Sequence, residues 1–289
     1  MRDAAPFAPT SARRDIWRAF SANPTTLAGL VITALFAVLA LAGPAIVPYD
    51  PLATSAARAL LPPSAAPWFG TDQVGRDIFS RVVVASRLDL GIAAAATAIA
   101  FVAGLLLGAA AGWFGGWVDR VVGRLVDTMM AFPLFVLAMG IVAAAGNTLA
   151  NIIWATAVVN TPFYARVARA EAGVRREAGF VEAARLCGNA PAGILFRHLV
   201  PNILPPVMVQ ISLNMGYTIL NAASLSFIGL GVRPPTPEWG IMVSEGAALV
   251  LSGQWWTALF PGLALMLAVF GFNLLGDGLR DALDPRRRT

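Results

Sequence analysis

The chain alternates long apolar runs with shorter polar segments, a pattern typical of a protein that crosses a membrane several times. Bilayer-spanning helices need about 20 apolar residues, because lipid offers no hydrogen bonds to an exposed backbone. We therefore predict an all-α polytopic membrane protein with six transmembrane helices. The predicted spans are residues 27–47, 89–111, 125–146, 148–165, 204–227 and 255–275.

The polar segments divide the chain around these spans. Residues 1–26 form an N-terminal segment longer than the charged start of a signal peptide, so we expect the span at 27–47 to be retained. Residues 48–88 form a long loop and residues 89–285 a membrane core. Residues 286–289 form a basic tail.

The basic residues predict the orientation of the chain. All 21 of them are Arg. Most lie before the first span, between the second and third spans, between the fourth and fifth, or near the C-terminal end. Positive residues accumulate on the cytosolic side of a membrane. We therefore expect both termini in the cytosol and the loop at 48–88 outside.

Composition excludes several kinds of chemistry. The chain is 57% apolar and has no Lys, which a Walker A loop or a Schiff-base enzyme requires. Its single Cys, Cys187, and single His, His198, cannot form a metal cluster unaided. No charge lies at the middle of a span, which argues against a proton-coupled transporter. We expect no catalytic, cofactor or metal site here, and any ATP site must lie on another chain.

The loop at 48–88 contains the sequence FGTDQVGRDIFSR at residues 69–81. Its Gly-Thr-Asp start is typical of a turn that leads into a helix. We predict a short interfacial helix that begins near Gln73. The apolar residues expected to lie on the membrane surface are Ile78, Val82 and Val83.

Two spans carry regular patterns of small or polar residues. Gly104, Gly108 and Gly112 recur at four-residue spacing, which allows close helix packing, either within this subunit or against a partner membrane subunit. The fifth span carries a polar stripe, which indicates either a translocation path for a polar solute or hydrogen bonding between helices. The stripe consists of Gln210, Asn214, Tyr217 and Asn221.

The polar segment at 166–203 predicts a pair of cytosolic helices. Strong helix formers lead up to Cys187, and Gly188 suits the position just after a helix end. Pro191 suits the start of the second helix. A small surface rimmed by charge fits a groove on another protein, or, alternatively, a basic loop held against lipid headgroups. The residues of this surface are Glu182, Ala183, Ala184, Arg185 and Leu186.

These residues resemble the EAA loop of membrane subunits in bacterial ABC importers. Glu182-Ala183-Ala184, Gly188 and a downstream Ile203-Leu204-Pro205 carry the match. Further segments resemble the C-type permease subunit of the dipeptide/oligopeptide/nickel importer family, from about residue 15 to the end. They are FGTDQVGRDIFSR, WFGGWVDRVVGRLVDTMMAFP (113–133), RHLVPN (197–202), LSFIGLGVRPPTPEWGIM (225–242) and FNLLGDGLRDALDP (272–285).

The resemblance implies a type I ABC importer permease fold with a MetI-like core in the bacterial inner membrane. Glu182, Ala183, Ala184, Arg185 and Gly188 would belong to a coupling helix that enters a cleft of an ATPase subunit. The implied partners are a homologous B-type permease, two ATPase subunits that bind ATP and Mg²⁺, an extracytoplasmic solute-binding protein and membrane lipid, with no nucleic acid. Where the family commonly has a Glu, this chain has Asn221.

Several functions remain open at this point. We expect a permease for di- or oligopeptides that does no covalent chemistry itself. A nickel chelate, glutathione or another small solute is the alternative cargo. A self-sufficient channel or secondary transporter would need an ion site, and a membrane scaffold would not transport at all.

Overall fold

The computed structural model describes residues 23–283. Residues 1–22 of the predicted N-terminal segment at 1–26, and the whole predicted tail at 286–289, lie outside the described residues. The described chain folds into nine α-helices and one short 3-10 helix (Ala56–Arg58), and the described residues contain no β-strand. The α-helices are α1 (Pro24–Ile46), α2 (Ile78–Phe114), α3 (Gly116–Ala131), α4 (Leu134–Ala145), α5 (Leu149–Arg175), α6 (Gly179–Leu186), α7 (Pro191–Phe227, with a π turn at Leu195–Leu199), α8 (Trp239–Val250) and α9 (Trp256–Leu283).

The prediction of an all-α membrane fold is confirmed. Four helices, α1, α2, α7 and α9, are long and apolar enough to cross a membrane, and they contain or closely match four of the six predicted spans. The fourth predicted span, 148–165, corresponds to the first part of α5 and its N-cap residue Thr148. Polar residues such as Asn151 and Asn160 make this helix less apolar than the other spans. This helix must therefore be shielded by its neighbours within the membrane.

The third predicted span, 125–146, is not one straight helix. α3 ends at Ala131 and α4 begins at Leu134, and their axes meet at 94°. Phe132 is extended because the ring of the following Pro133 disfavours a helical conformation at the preceding residue. The two helices count as a span only as a bent pair, which gives up to five apolar spans among the described residues.

The predicted interfacial helix near Gln73 is wrong. Residues 71–77 form a turn closed by a bridge between Thr71 and Asp77. The helix starts only at Ile78, because Asp77 caps it by accepting a hydrogen bond from the backbone N–H of Ser80 at 2.8 Å. Ile78 is buried, as are the other two residues expected on the membrane surface, Val82 and Val83.

Buried charges hold this loop to the helices. The Arg76 guanidinium contacts Asp72 at 2.5 Å and Glu245 of α8 at 3.4 Å. Arg81, which is almost completely buried, donates hydrogen bonds to the carbonyl oxygens of Pro51 and Pro235 at 3.3 and 3.2 Å. Two guanidinium groups balance two carboxylates here, so breaking one pair would leave an uncompensated buried charge.

The helix α8 was not predicted, since its 12 residues are too few for a span. Glu238 caps it by accepting hydrogen bonds from the backbone N–H groups of Gly240 and Ile241 at 3.0 and 2.8 Å. Trp239 is fully buried and donates its indole N–H to the carbonyl oxygen of Val82 at 3.0 Å. Burial raises the pKa of the Glu238 carboxyl.

Candidate functional site

The predicted pair of helices between the fourth and fifth spans is present. α6 begins at Gly179, and α7 begins at Pro191 with Ala190 as its cap. The first helix is shorter than expected, because residues 176–178 form a turn that separates it from α5. α6 is therefore a separate short element that joins two long helices.

Gly188 ends α6 in the way its position predicts. Its φ of +77° lies in the left-handed region that favours glycine. The N–H of Gly188 donates to the carbonyl of Arg185 at 2.9 Å, and the N–H of Asn189 donates to the carbonyl of Ala184 at 3.2 Å. These two bonds form a Schellman motif, which fixes the angle at which the chain leaves the helix.

α6 has an inner and an outer face. Val181 and Ala184 are buried in one cluster with Trp113 at the end of α2, so Ala184 supports the helix and does not line its outer surface as expected. Glu182 and Ala183 are exposed, and Leu186 is 84% exposed. The outer face thus combines an acidic, a small and an apolar side chain, while the inner face of the helix packs on Trp113 through Val181 and Ala184.

Arg185 links the outer face of α6 to the rest of the fold. Its guanidinium lies 5.2 Å from the ring centroid of Trp113, a distance suited to a cation–π interaction. Nearby, Arg169 on α5 forms a bidentate ion pair with Asp119 on α3. Arg166 on α5 contacts Asp127 on α3 at 2.9 Å. These largely exposed ion pairs connect α3 to α5 at the end of the molecule where α6 lies.

The three glycines of α2 face α5 of the same chain. A Cβ atom at Gly108 would lie 2.2 Å from the carbonyl oxygen of Ala165. A Cβ atom at Gly104 or Gly112 would lie 2.5 Å from Tyr164 or Arg169. Since real side chains essentially never approach so closely, the glycines allow the two backbones to touch within this chain.

The polar stripe of α7 is divided between two environments. Asn214 and Asn221 are buried, with 5% and 4% of their surface exposed. Gln210 is half-buried and donates its amide N–H to the side-chain oxygen of Asn214 at 3.2 Å. Tyr217 is exposed at the edge of the stripe. The structure therefore brings Gln210 and Asn214 together and turns Tyr217 outward.

Sequence reasoning missed a second polar face, on α5. Thr156, Asn160 and Tyr164 recur every four residues and are fully buried. Asn160 was noted only as an interruption of the span. The four-residue spacing, the same signal that revealed the stripe of α7, identifies this face as well.

Comparison with known proteins places these features in a family. Residues 104–289 match the family described as "Binding-protein-dependent transport system inner membrane component". Residues 11–63 match the family described as "N-terminal TM domain of oligopeptide transport permease C". The first match covers more than half of the chain, including α3 to α9.

Individual relatives are similar over nearly the whole chain. The dipeptide transport system permease protein of Alkalihalophilus pseudofirmus is 42% identical over 276 residues, which cover 96% of this chain and 90% of that protein. A probable D,D-dipeptide transport system permease protein of Escherichia coli is 45% identical over 91% of this chain and 88% of its own length. A glutathione transport system permease protein of Pectobacterium atrosepticum is 38% identical over 96% and 92%.

Proposed function

The chain belongs to the family of binding-protein-dependent transport system inner membrane components, and we propose that it is the C-type permease subunit of an ATP-driven importer of di- and oligopeptides. The observation that carries the proposal is the outer face of α6, a capped helix that projects Glu182 and Leu186 into solvent between two long helices. Such a helix suits a groove on a partner that supplies force.

Two relatives support peptides as the cargo. The relatives from Alkalihalophilus pseudofirmus and Escherichia coli are named as permeases for dipeptides and D,D-dipeptides. Glutathione, which is itself a small peptide, is the second candidate, because a third relative is named as its permease. The choice between them rests with the solute-binding protein that delivers the cargo.

The proposed partners divide the work of transport. Two ATPase subunits bind ATP and Mg²⁺ and move α6, and a homologous B-type permease supplies the other half of the path. A solute-binding protein delivers cargo from outside. The membrane lipid surrounds α1 and α9, whose exposed apolar side chains include Val31, Leu41, Met266 and Phe270.

The proposed orientation places α6 in the cytosol of a bacterium and the loop at 48–77 on the outer side of the inner membrane. The distribution of Arg supports the direction, and α2 supports the placement of the two regions on opposite sides, because its 37 residues give a length of roughly 55 Å. One end of α2 carries Trp113 beside α6, and the other end carries Ile78 beside the loop. A helix of this length separates the two regions by more than a bilayer core.

The proposed path lies along the outward face of α7. Tyr217, Leu220 and Phe227 are exposed there, and a groove between α4, α7, α8 and α9 is lined by Ser224, Phe227 and Val243. A partner subunit with a matching face would close this groove into a channel. Gln210 and Tyr217 would supply hydrogen-bonding groups at its rim.

Uptake of radiolabelled alanyl-alanine tests the proposal. We expect the uptake rate of a strain that lacks this gene to be at least about tenfold lower than that of the same strain with the gene restored, because the ATP-driven route is lost. The chain reconstituted alone in liposomes should give no flux. Unchanged uptake in the deletion strain, together with unchanged uptake of glutathione, would contradict the proposed function. Flux through the chain alone would favour a self-sufficient channel.

A further inference from the structure

Two buried polar faces meet between α5 and α7. On α5, Thr156, Asn160 and Tyr164 lie on one face, and the residues beside them, Val159 and Ala157, belong to buried clusters that include residues of α7. On α7, the buried polar residues are Asn214, Thr218 and Asn221. We call this set of six residues the polar seam.

The two faces are in register along the helices. The Tyr164 hydroxyl lies next to the Asn214 side chain, without the geometry of a complete hydrogen bond. One residue earlier on α5, the ring of Phe163 lies 6.1 Å from that of Tyr217. Since α6 reverses the chain direction between α5 and α7, Asn160 and Thr156 lie farther along toward Asn221.

The seam contains many polar atoms that no group of the described chain pairs. A buried polar atom that lacks a partner destabilises the arrangement that buries it. Buried polar atoms without a partner are few in native proteins, so a cluster of them calls for an explanation. The unpaired atoms are Thr156 Oγ1, Asn160 Oδ1, Tyr164 Oη, Asn214 Nδ2, and both Oδ1 and Nδ2 of Asn221.

The side of α5 that faces α2 lies next to the seam and is packed quite differently. Tyr164 lies where the two sides meet, because it contacts Gly104 and Phe101 of α2 as well as Asn214 of α7. On the side that faces α2, Gly104, Gly108 and Gly112 bring the backbone of α2 into contact with α5, so a shift of either helix would create overlaps. α2 and α5 therefore pack backbone to backbone, and we expect them to move together. The seam is the softer of the two interfaces, because leaving it breaks few hydrogen bonds.

α6 is placed to act across this seam. It follows α5 after the turn at 176–178 and precedes α7 after the Schellman motif at Gly188. A displacement of α6 is therefore transmitted first to the relative position of the two helices that it joins.

We propose that the polar seam is a slip plane, along which α7 moves against the α2–α5 pair when α6 is displaced. The unpaired atoms raise the free energy of the arrangement described here. The free-energy difference between this arrangement and one in which these atoms have hydrogen-bond partners is therefore small. The inference rests on the proposed function only for its transport readout.

The test removes single hydroxyl groups without changing shape. In the purified importer with all its subunits, Thr156→Val and Tyr164→Phe should each raise the melting temperature of this subunit by a few degrees, roughly 2–4 °C. Uptake of alanyl-alanine should fall at least about tenfold, since the stabilised arrangement is harder to leave. The matched control is Thr97→Val on α2. It also removes one hydroxyl group, but this hydroxyl has a hydrogen-bond partner, the hydroxyl of the seam residue Thr218 at 3.3 Å. Its loss should therefore lower the melting temperature.

Each contrary result is informative. A melting temperature that stays unchanged or falls in both seam variants would overturn the proposal, because the atoms would then be satisfied by water or by a partner subunit. Raised melting temperatures with unchanged uptake would overturn the slip-plane role. If the wild-type importer took up no alanyl-alanine, the proposed function would fail instead, and ATP hydrolysis by the assembled importer would replace uptake as the readout of the cycle.

Discussion

Replacing Glu182 with Arg uncouples ATP hydrolysis from transport: uptake falls at least about tenfold while the ATPase subunits continue to hydrolyse ATP. Glu182 is exposed on the outer face of α6, so the substitution changes the surface that meets the partner and leaves the buried support of Val181 and Ala184 intact. A reversed charge in a small interface opposes binding by several kcal/mol when it meets a like charge. Solute uptake and ATP hydrolysis are measured on the same preparation.

The control is Glu177→Arg, which makes the same charge change at an exposed residue in the turn before α6. It should leave uptake within about twofold of the wild type, since surface charges outside an interface contribute little. Normal uptake in the Glu182 variant, or equal losses in both variants, would contradict a docking role for α6.

A second variant changes the shape of the same surface. Gly188→Trp places a large side chain where an added Cβ would meet no atom of this chain, at a φ that other residues rarely adopt. Gly188→Asn is the matched control, because Asn tolerates the left-handed conformation. We expect uptake to fall about tenfold or more with Trp and to be largely kept with Asn.

Gly108→Leu has the largest expected effect on stability. The new Cβ would overlap the carbonyl oxygen of Ala165 at 2.2 Å, and backbone cannot move aside as a flexible side chain can. Overpacking of this kind typically costs about 1–3 kcal/mol, and overlap with backbone in the main helix interface exceeds that range. We expect little assembled importer in detergent and a melting temperature lowered by at least about 5 °C.

Gly91→Leu is the matched control for that variant. It lies on the same helix, and an added Cβ there would meet no atom within 4 Å. Its melting temperature should stay close to that of the wild type. If the two variants assembled equally well, close packing of α2 on α5 would not be what holds these helices together.

The sequence predicts most of the helices because their signals are local. Apolar runs of about 20 residues predict α1, α7 and α9. Gly188 predicts where α6 ends, and Pro191 predicts where α7 begins. The prediction of an interfacial helix near Gln73 was wrong because tertiary contacts determine the conformation of this segment. Arg76 and Arg81 are buried against Asp72 and Glu245, and Glu245 is 169 residues away from Arg76 along the chain.

The sequence predicts the candidate site only in part. Four-residue spacing reveals that Asn214 and Asn221 share a face, but it does not say whether that face is open or buried. Burial follows from α5, whose Thr156 and Asn160 lie across from it, and this pairing depends on the chain reversal at α6. The outward position of Tyr217 likewise depends on which side of α7 the other helices cover.

Crosslinking from Cys187 tests most directly whether α6 is the element that receives force from the ATPase subunits. This is the single cysteine of the chain, it is exposed, and it directly follows α6. A maleimide that carries a photoreactive benzophenone is attached to it in the purified subunit before assembly. Irradiation of the assembled importer should join this chain to an ATPase subunit, and the Cys187→Ser variant should give no such product. Crosslinks only to lipid, or only to a protein on the outer side of the membrane, would contradict the account.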